Sequence, residues 1–138
     1  MKEKKQILVV DDDPTFRHLM VELLSGEGRR VAPVLNGEEG LQRLREARFD
    51  IAILGLNLAG WISGIDFLRG ARRLYPEIKV ILCGALTDKA TMEEVLTLGA
   101  EVFAPRPVEN PEGLLALVKK MSNGADRSAL SRAEEGGK

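Results

Sequence analysis

Scarcity marks this chain before any motif does. Its 138 residues include one cysteine, one histidine, one tryptophan and one tyrosine, and only 4% are aromatic. A lone Cys83 can build neither an internal disulfide nor a thiolate metal cluster, so a reducing, cytoplasmic setting is expected. Charge of one sign is also missing: 20 basic against 21 acidic side chains leave a net charge of −1. That balance gives no electrostatic reason to expect nucleic acid or an anionic membrane as partner. Long apolar runs are absent too. The run after Lys2-Glu3-Lys4-Lys5 ends at Val10, so neither a signal peptide nor a membrane span is expected.

What remains is ordinary soluble-protein composition, 44% apolar and 30% charged, in a length that suits one domain with a real core. Five short apolar runs, Ile7–Val10, Val31–Leu35, Ile51–Leu54, Val80–Cys83 and Val102–Ala104, alternate with five helical patterns. Three of them are rich in Val, Ile and Leu and read as strands buried on both faces. Phe16, Leu19, Met20, Leu23 and Leu24 follow the spacing of one helix face, with Asp13 as N-cap and Pro14 in the first turn. Gly26 and Gly28 are expected to end that helix. Asn36 caps a second helix, with Glu38 and Glu39 in its positive first turn. A third, roughly Ile65 to Tyr75, stops before Pro76, and a fourth, about Thr87 to Leu98, closes at Gly99. The fifth starts at Asn110-Pro111 and turns Leu114, Leu115, Val118 and Met121 inward.

Strand–helix alternation with short connections predicts a doubly wound α/β fold with a parallel sheet and right-handed crossovers. Such sheets bind ligands at the carboxyl ends of their strands. The residues to inspect are therefore 11–13, 55–57, 84–85 and 105–107. The domain is expected over residues 1–122, with 123–138, poor in apolar residues, as a disordered tail or a truncated linker.

Three aspartates, Asp11, Asp12 and Asp13, follow the first strand. Asp13 reads as a helix cap; Asp11 and Asp12 suit a hard divalent cation, because adjacent carboxylates repel one another without one. His18, between apolar positions on the outer side of the first helix, is assigned no role. Trp61, in a glycine-containing loop with Leu58 and Ile62 nearby, either covers Gly55 or offers an apolar surface to a partner.

Ile7-Leu8-Val9-Val10-Asp11-Asp12-Asp13-Pro14 resembles the opening of a response-regulator receiver domain from two-component signalling. The likeness continues through Asn36-Gly37-Glu38-Glu39-Gly40-Leu41, Phe49-Asp50-Ile51-Ala52-Ile53-Leu54 and Gly64-Ile65-Asp66-Phe67-Leu68. It ends with Leu98-Gly99-Ala100-Glu101-Val102-Phe103 running into Arg106-Pro107, so that it spans residues 5 to 122. The resemblance implies a flavodoxin-like (βα)5 domain with five parallel strands in the order 2-1-3-4-5. It places the family's acidic pair on Asp11 and Asp12, with Asp12 the direct Mg²⁺ ligand and Asn57 supplying a backbone carbonyl. The phosphoacceptor aspartate falls on Gly55, the switch hydroxyl on Gly84, the lysine on Arg106, the cis-proline on Pro107 and the switch aromatic on Phe103. The usual proline after the third strand falls on Ala59, in a loop about one residue longer than the common form.

Three of those positions have lost their chemistry. Gly55 has no carboxylate to accept a phosphoryl group, and Gly84 has no hydroxyl to bond one. Arg106 keeps the charge, but a planar guanidinium does not replace a compact ammonium. With one anionic ligand gone, Mg²⁺ binding is expected to be weak at best, and no cofactor is required. The expectation is a pseudo-receiver, not an enzyme, that works by protein–protein contact. Its partners would be a signalling kinase, an output domain, another receiver or a second copy of itself. The family's partner surface maps near Leu86, Thr91, Phe103, Val108 and Leu115, and Trp61 is a further candidate for the interaction surface.

Two alternatives stand beside that reading. One is a conventional phospho-switch with a displaced aspartate acceptor. The other is a phosphatase resembling haloacid dehalogenases, with Asp11 as nucleophile and Asp13 as acid/base; the later strand ends, Gly55, Gly84 and Pro105-Arg106, lack the second acidic cluster that family needs. A flavodoxin-type cofactor is disfavoured, since three carboxylates would repel its phosphate.

Overall fold

A computed structural model describes residues 4–26, 28–55, 63–84, 89–100, 102–105 and 110–122. In chain order the elements are β1 (Lys5–Val10), α1 (Pro14–Leu24), β2 (Arg29–Val34), α2 (Gly37–Glu46), β3 (Ile51–Gly55), α3 (Gly64–Leu74), β4 (Lys79–Gly84), α4 (Lys89–Thr97), β5 (Val102–Pro105) and α5 (Pro111–Ser122). The expected tail, 123–138, lies outside the described residues.

The strands form one parallel sheet in the order β2-β1-β3-β4-β5. Alternation along each strand divides the core between the two faces. Leu8, Val10, Ala52, Leu54, Val80 and Leu82 point to one face, where Leu44 of α2, Phe67, Leu68 and Ala71 of α3 and Val95 of α4 cover them. Ile7, Val9, Ile51, Ile53, Ile81 and Cys83 point to the other, under Phe16, Met20 and Leu24 of α1 and Leu114, Val118 and Met121 of α5. The inner strands β1, β3 and β4 are buried on both faces, as their apolar runs require. The edge strand β2 is only partly covered and tolerates Pro33, whose missing N–H costs nothing on an open edge.

Two sequence expectations need correction. Leu19 lies outside the buried face of α1 and is 39% exposed, whereas Phe16, Met20 and Leu24 are buried against the sheet and Leu23 packs partly against the same cluster. Leu35 lies beyond the end of β2 and is also exposed, so that strand closes at Val34.

Helix ends follow the chemistry of their caps. Asn36 Oδ1 accepts the Glu39 N–H at 2.9 Å, and Ser63 Oγ accepts the Asp66 N–H at 3.1 Å. Asn110 Oδ1 accepts from Gly113 at 3.0 Å. After α4 the chain turns through Gly99 at φ +88, a conformation that suits a residue without a side chain.

Gly40 matters for a different reason. A Cβ there would sit 2.6 Å from Phe67 Cε1 and 3.1 Å from Val10 Cγ2, and both side chains are fully buried. Its absence lets α2 lie close against α3. Gly40→Ala should therefore lower stability by about 1–2 kcal/mol despite alanine's better helix propensity. Urea unfolding checks this: the midpoint should fall with the slope unchanged.

Candidate functional site

The register of the sheet assembles the site. Val10 pairs with Leu54, Gly55 with Cys83, and Gly84 with Pro105. One step beyond the Val10–Leu54 pair, the two central strands carry Asp11 and Gly55. The ends of β4 and β5 complete the same carboxyl edge, where doubly wound sheets hold ligands.

Asp11 is 1% exposed, the one buried charged residue among those described. Its N–H donates to the Val34 carbonyl at 3.2 Å, extending the β1–β2 ladder by one bond. Its Oδ1 accepts the Asp13 N–H at 2.9 Å, and its backbone carbonyl accepts from Arg17 Nη1 at 2.7 Å. Asp12 is half-buried. Asp13 is exposed, and its Oδ1 takes the Thr15 N–H at 2.9 Å, so it is the N-cap of α1. The aspartate run thus divides its labour: Asp11 tightens the turn, Asp13 starts the helix, and Asp12 is left at the edge of the site.

Gly55 and Gly84 both lie buried at the ends of their strands. Arg106, Pro107, Asn57, Ala59 and Trp61 lie outside the described residues, as do Leu86 and Val108. Backbone placement puts Thr91 on α4 and Phe103 on β5. Leu115 is half-buried and packs against the cluster beneath α5. His18 is exposed and pairs with Glu22 at 3.0 Å one turn on.

Among the described residues no three acidic, histidine or cysteine side chains are arranged to hold a metal ion together. Asp11 and Asp12 follow β1 at the carboxyl edge, and β3 ends there at Gly55.

Arg17 went unnoticed in the sequence. Its one available signal was a position four residues after the cap Asp13, which places it over the turn it braces. A cleft of about 320 Å³, lined by Lys5, Arg48, Asp50, Tyr75, Lys79 and Met121 among others, opens at the opposite, amino edge of the sheet and has no part in this site. No helix among the described residues is long and apolar enough to cross a membrane.

A parallel sheet of this order, with paired acids at the end of its first strand, defines a flavodoxin-like α/β domain with its polar site at the carboxyl edge. The family model described as the response regulator receiver domain matches residues 7–119, and the chain belongs to that family. It is 34% identical over 116 residues to the DNA-binding response regulator MtrA of Mycolicibacterium smegmatis, covering 84% of this chain and 50% of that protein. The chain therefore spans about half the length of that relative. It is 27% identical to the chemotaxis protein CheY of Thermotoga maritima, over 86% of this chain and 98% of that one. A crystal structure of a CheY-like receiver domain protein from Methanospirillum hungatei superposes with a TM-score of 0.81 at 28% identity, covering 88% and 95% of the two chains.

The cap assignment is directly testable. Asp13→Ala should cost about 1 kcal/mol by freeing the Thr15 N–H, read as a lower urea midpoint, whereas Asp13→Asn should lose little.

Proposed function

We propose that this receiver domain signals by phosphorylation-independent protein–protein contact, as a pseudo-receiver in a two-component or phosphorelay system of the cytoplasm. One observation carries the reading: β3 ends at Gly55, at the carboxyl edge beside Asp11. Phosphotransfer from a kinase histidine requires a carboxylate oxygen that becomes an acyl phosphate, and glycine has none. Gly84, at the switch-hydroxyl position, cannot bond a phosphoryl oxygen, and Arg106 stands at the lysine position. The three losses fall on one reaction.

Other aspartates are poor substitutes. Asp11 is buried with an oxygen engaged by the Asp13 N–H, which also argues against a phosphatase nucleophile there. Asp13 has an oxygen committed to capping α1. The domain acts without catalysis and needs no cofactor. Asp11, Asp12 and the carbonyl of Asn57 retain at most a weak affinity for Mg²⁺, because two carboxylates offset the cost of dehydrating that ion less well than three.

The contact surface in this reading is the α4–β5–α5 side, to which the resemblance assigns Leu86, Thr91, Phe103, Val108 and Leu115; Trp61 is a further apolar contact candidate. Leu96 joins it: at 56% exposed it is the most open large apolar residue among those described, and it lies on α4. The partner is a signalling kinase, an output domain, another receiver or a second copy of the chain.

Incubation with acetyl phosphate and Mg²⁺ should leave the intact mass unchanged. The fluorescence of Trp61, the one tryptophan, should not move either. Gain of a single phosphoryl group, mapped to Asp11, Asp12 or Asp13, would establish a displaced acceptor and end this reading.

A further inference from the structure

α4 cannot hold itself in place. It is nine residues long, too short to be stable as an isolated helix. Among its described side chains only Val95 is buried. Its first turn carries no acidic residue and its last turn no basic one, so nothing in its own sequence complements the helix dipole.

The missing cation comes from α3. Arg72 Nε donates to the Leu98 carbonyl at 3.0 Å, and Nη2 donates to the Gly99 carbonyl. These are the carbonyls just past the end of α4, where the chain reverses: the Gly99 N–H bonds Leu96 O at 3.0 Å and the Ala100 N–H bonds Val95 O at 3.1 Å. The same guanidinium turns its Nη1 to Pro76 O at 3.1 Å and to Ile78 O, in the connection from α3 into β4. One planar group thus joins the close of α4 to the entry of β4, with rigid donors that a lysine could not match. One turn earlier on α3, Arg69 pairs with Glu94 of α4 and, at 3.2 Å, with Asp66. That pair is half-exposed and contributes little by comparison.

We propose that Arg72 is the positioning residue of the docking face. It anchors α4 to α3 from the closing turn of the helix, well away from the carboxyl edge, so that the face is preformed and does not wait for a signal at Asp11, Asp12 or Gly55. This rests on the reading of the α4 side as the contact surface, and it explains how such a surface can be ready without phosphoryl chemistry.

Hydrogen–deuterium exchange on the full chain tests it. Arg72→Ala should speed exchange across residues 89–100 by roughly tenfold or more, since several charge-assisted bonds go at once. β1 and β3 should keep their protection. Arg72→Lys should fall between wild type and alanine, and Arg69→Ala should have a much smaller effect. Unchanged exchange over 89–100 would overturn the proposal, as would equal loss across β1 and β3, which would reduce Arg72 to a general contributor to stability. Should the alanine variant fail to accumulate, the lysine variant decides: selective loosening of 89–100 supports the anchor and uniform loosening refutes it. Wild-type exchange over 89–100 should also be unaffected by acetyl phosphate with Mg²⁺. If the wild type instead gains a phosphoryl group, the phosphorylation-independent reading fails on its own, and the Arg72 variants still judge the anchor.

Discussion

Everything at the functional edge depends on the pairing of β1 with β3. Both strands are buried on both faces, and in a sheet of this kind a slip of one residue would send every side chain to the wrong layer. The hydrophobic pattern therefore holds Val10 against Leu54 and brings Asp11 beside Gly55. Packing imposes this neighbourhood whatever chemistry the residues there can perform. The residues that make the sheet are different from those that make the site.

The divided roles of the aspartates make the same point. Asp11 and Asp13 each accept a backbone N–H that shapes the passage from β1 into α1. These bonds justify both residues on structural grounds even where no metal or phosphate is handled. Asp12 is half-buried between them, and the neighbouring strand β3 ends at Gly55.

Much of this could be read from residue order. The apolar runs Ile7–Val10, Ile51–Leu54 and Val80–Cys83 located the inner strands, because only a strand covered on both faces needs so unbroken an apolar stretch. The caps Asp13 and Asn36 were equally legible, since their side chains bond N–H groups two or three residues away. Leu19 misled because periodicity gives the width of an apolar face and not where the sheet ends beneath it. Arg17 and Arg72 were invisible for a related reason: each reaches backbone carbonyls, and carbonyls leave no mark in a sequence. Arg72 spans 26 residues to Leu98, a distance at which no local pattern operates.

The central claim, that the carboxyl edge no longer receives a phosphoryl group, is tested most directly by amide NMR with a phosphoryl mimic. Beryllofluoride added to a sample already containing Mg²⁺ should leave the resonances of Asp11–Asp13, Leu54, Gly55, Cys83 and Gly84 where they were. Saturable shifts concentrated at those residues and spreading into α4 would contradict the account, for they would mean that an aspartate at this edge still takes the group and still moves the face.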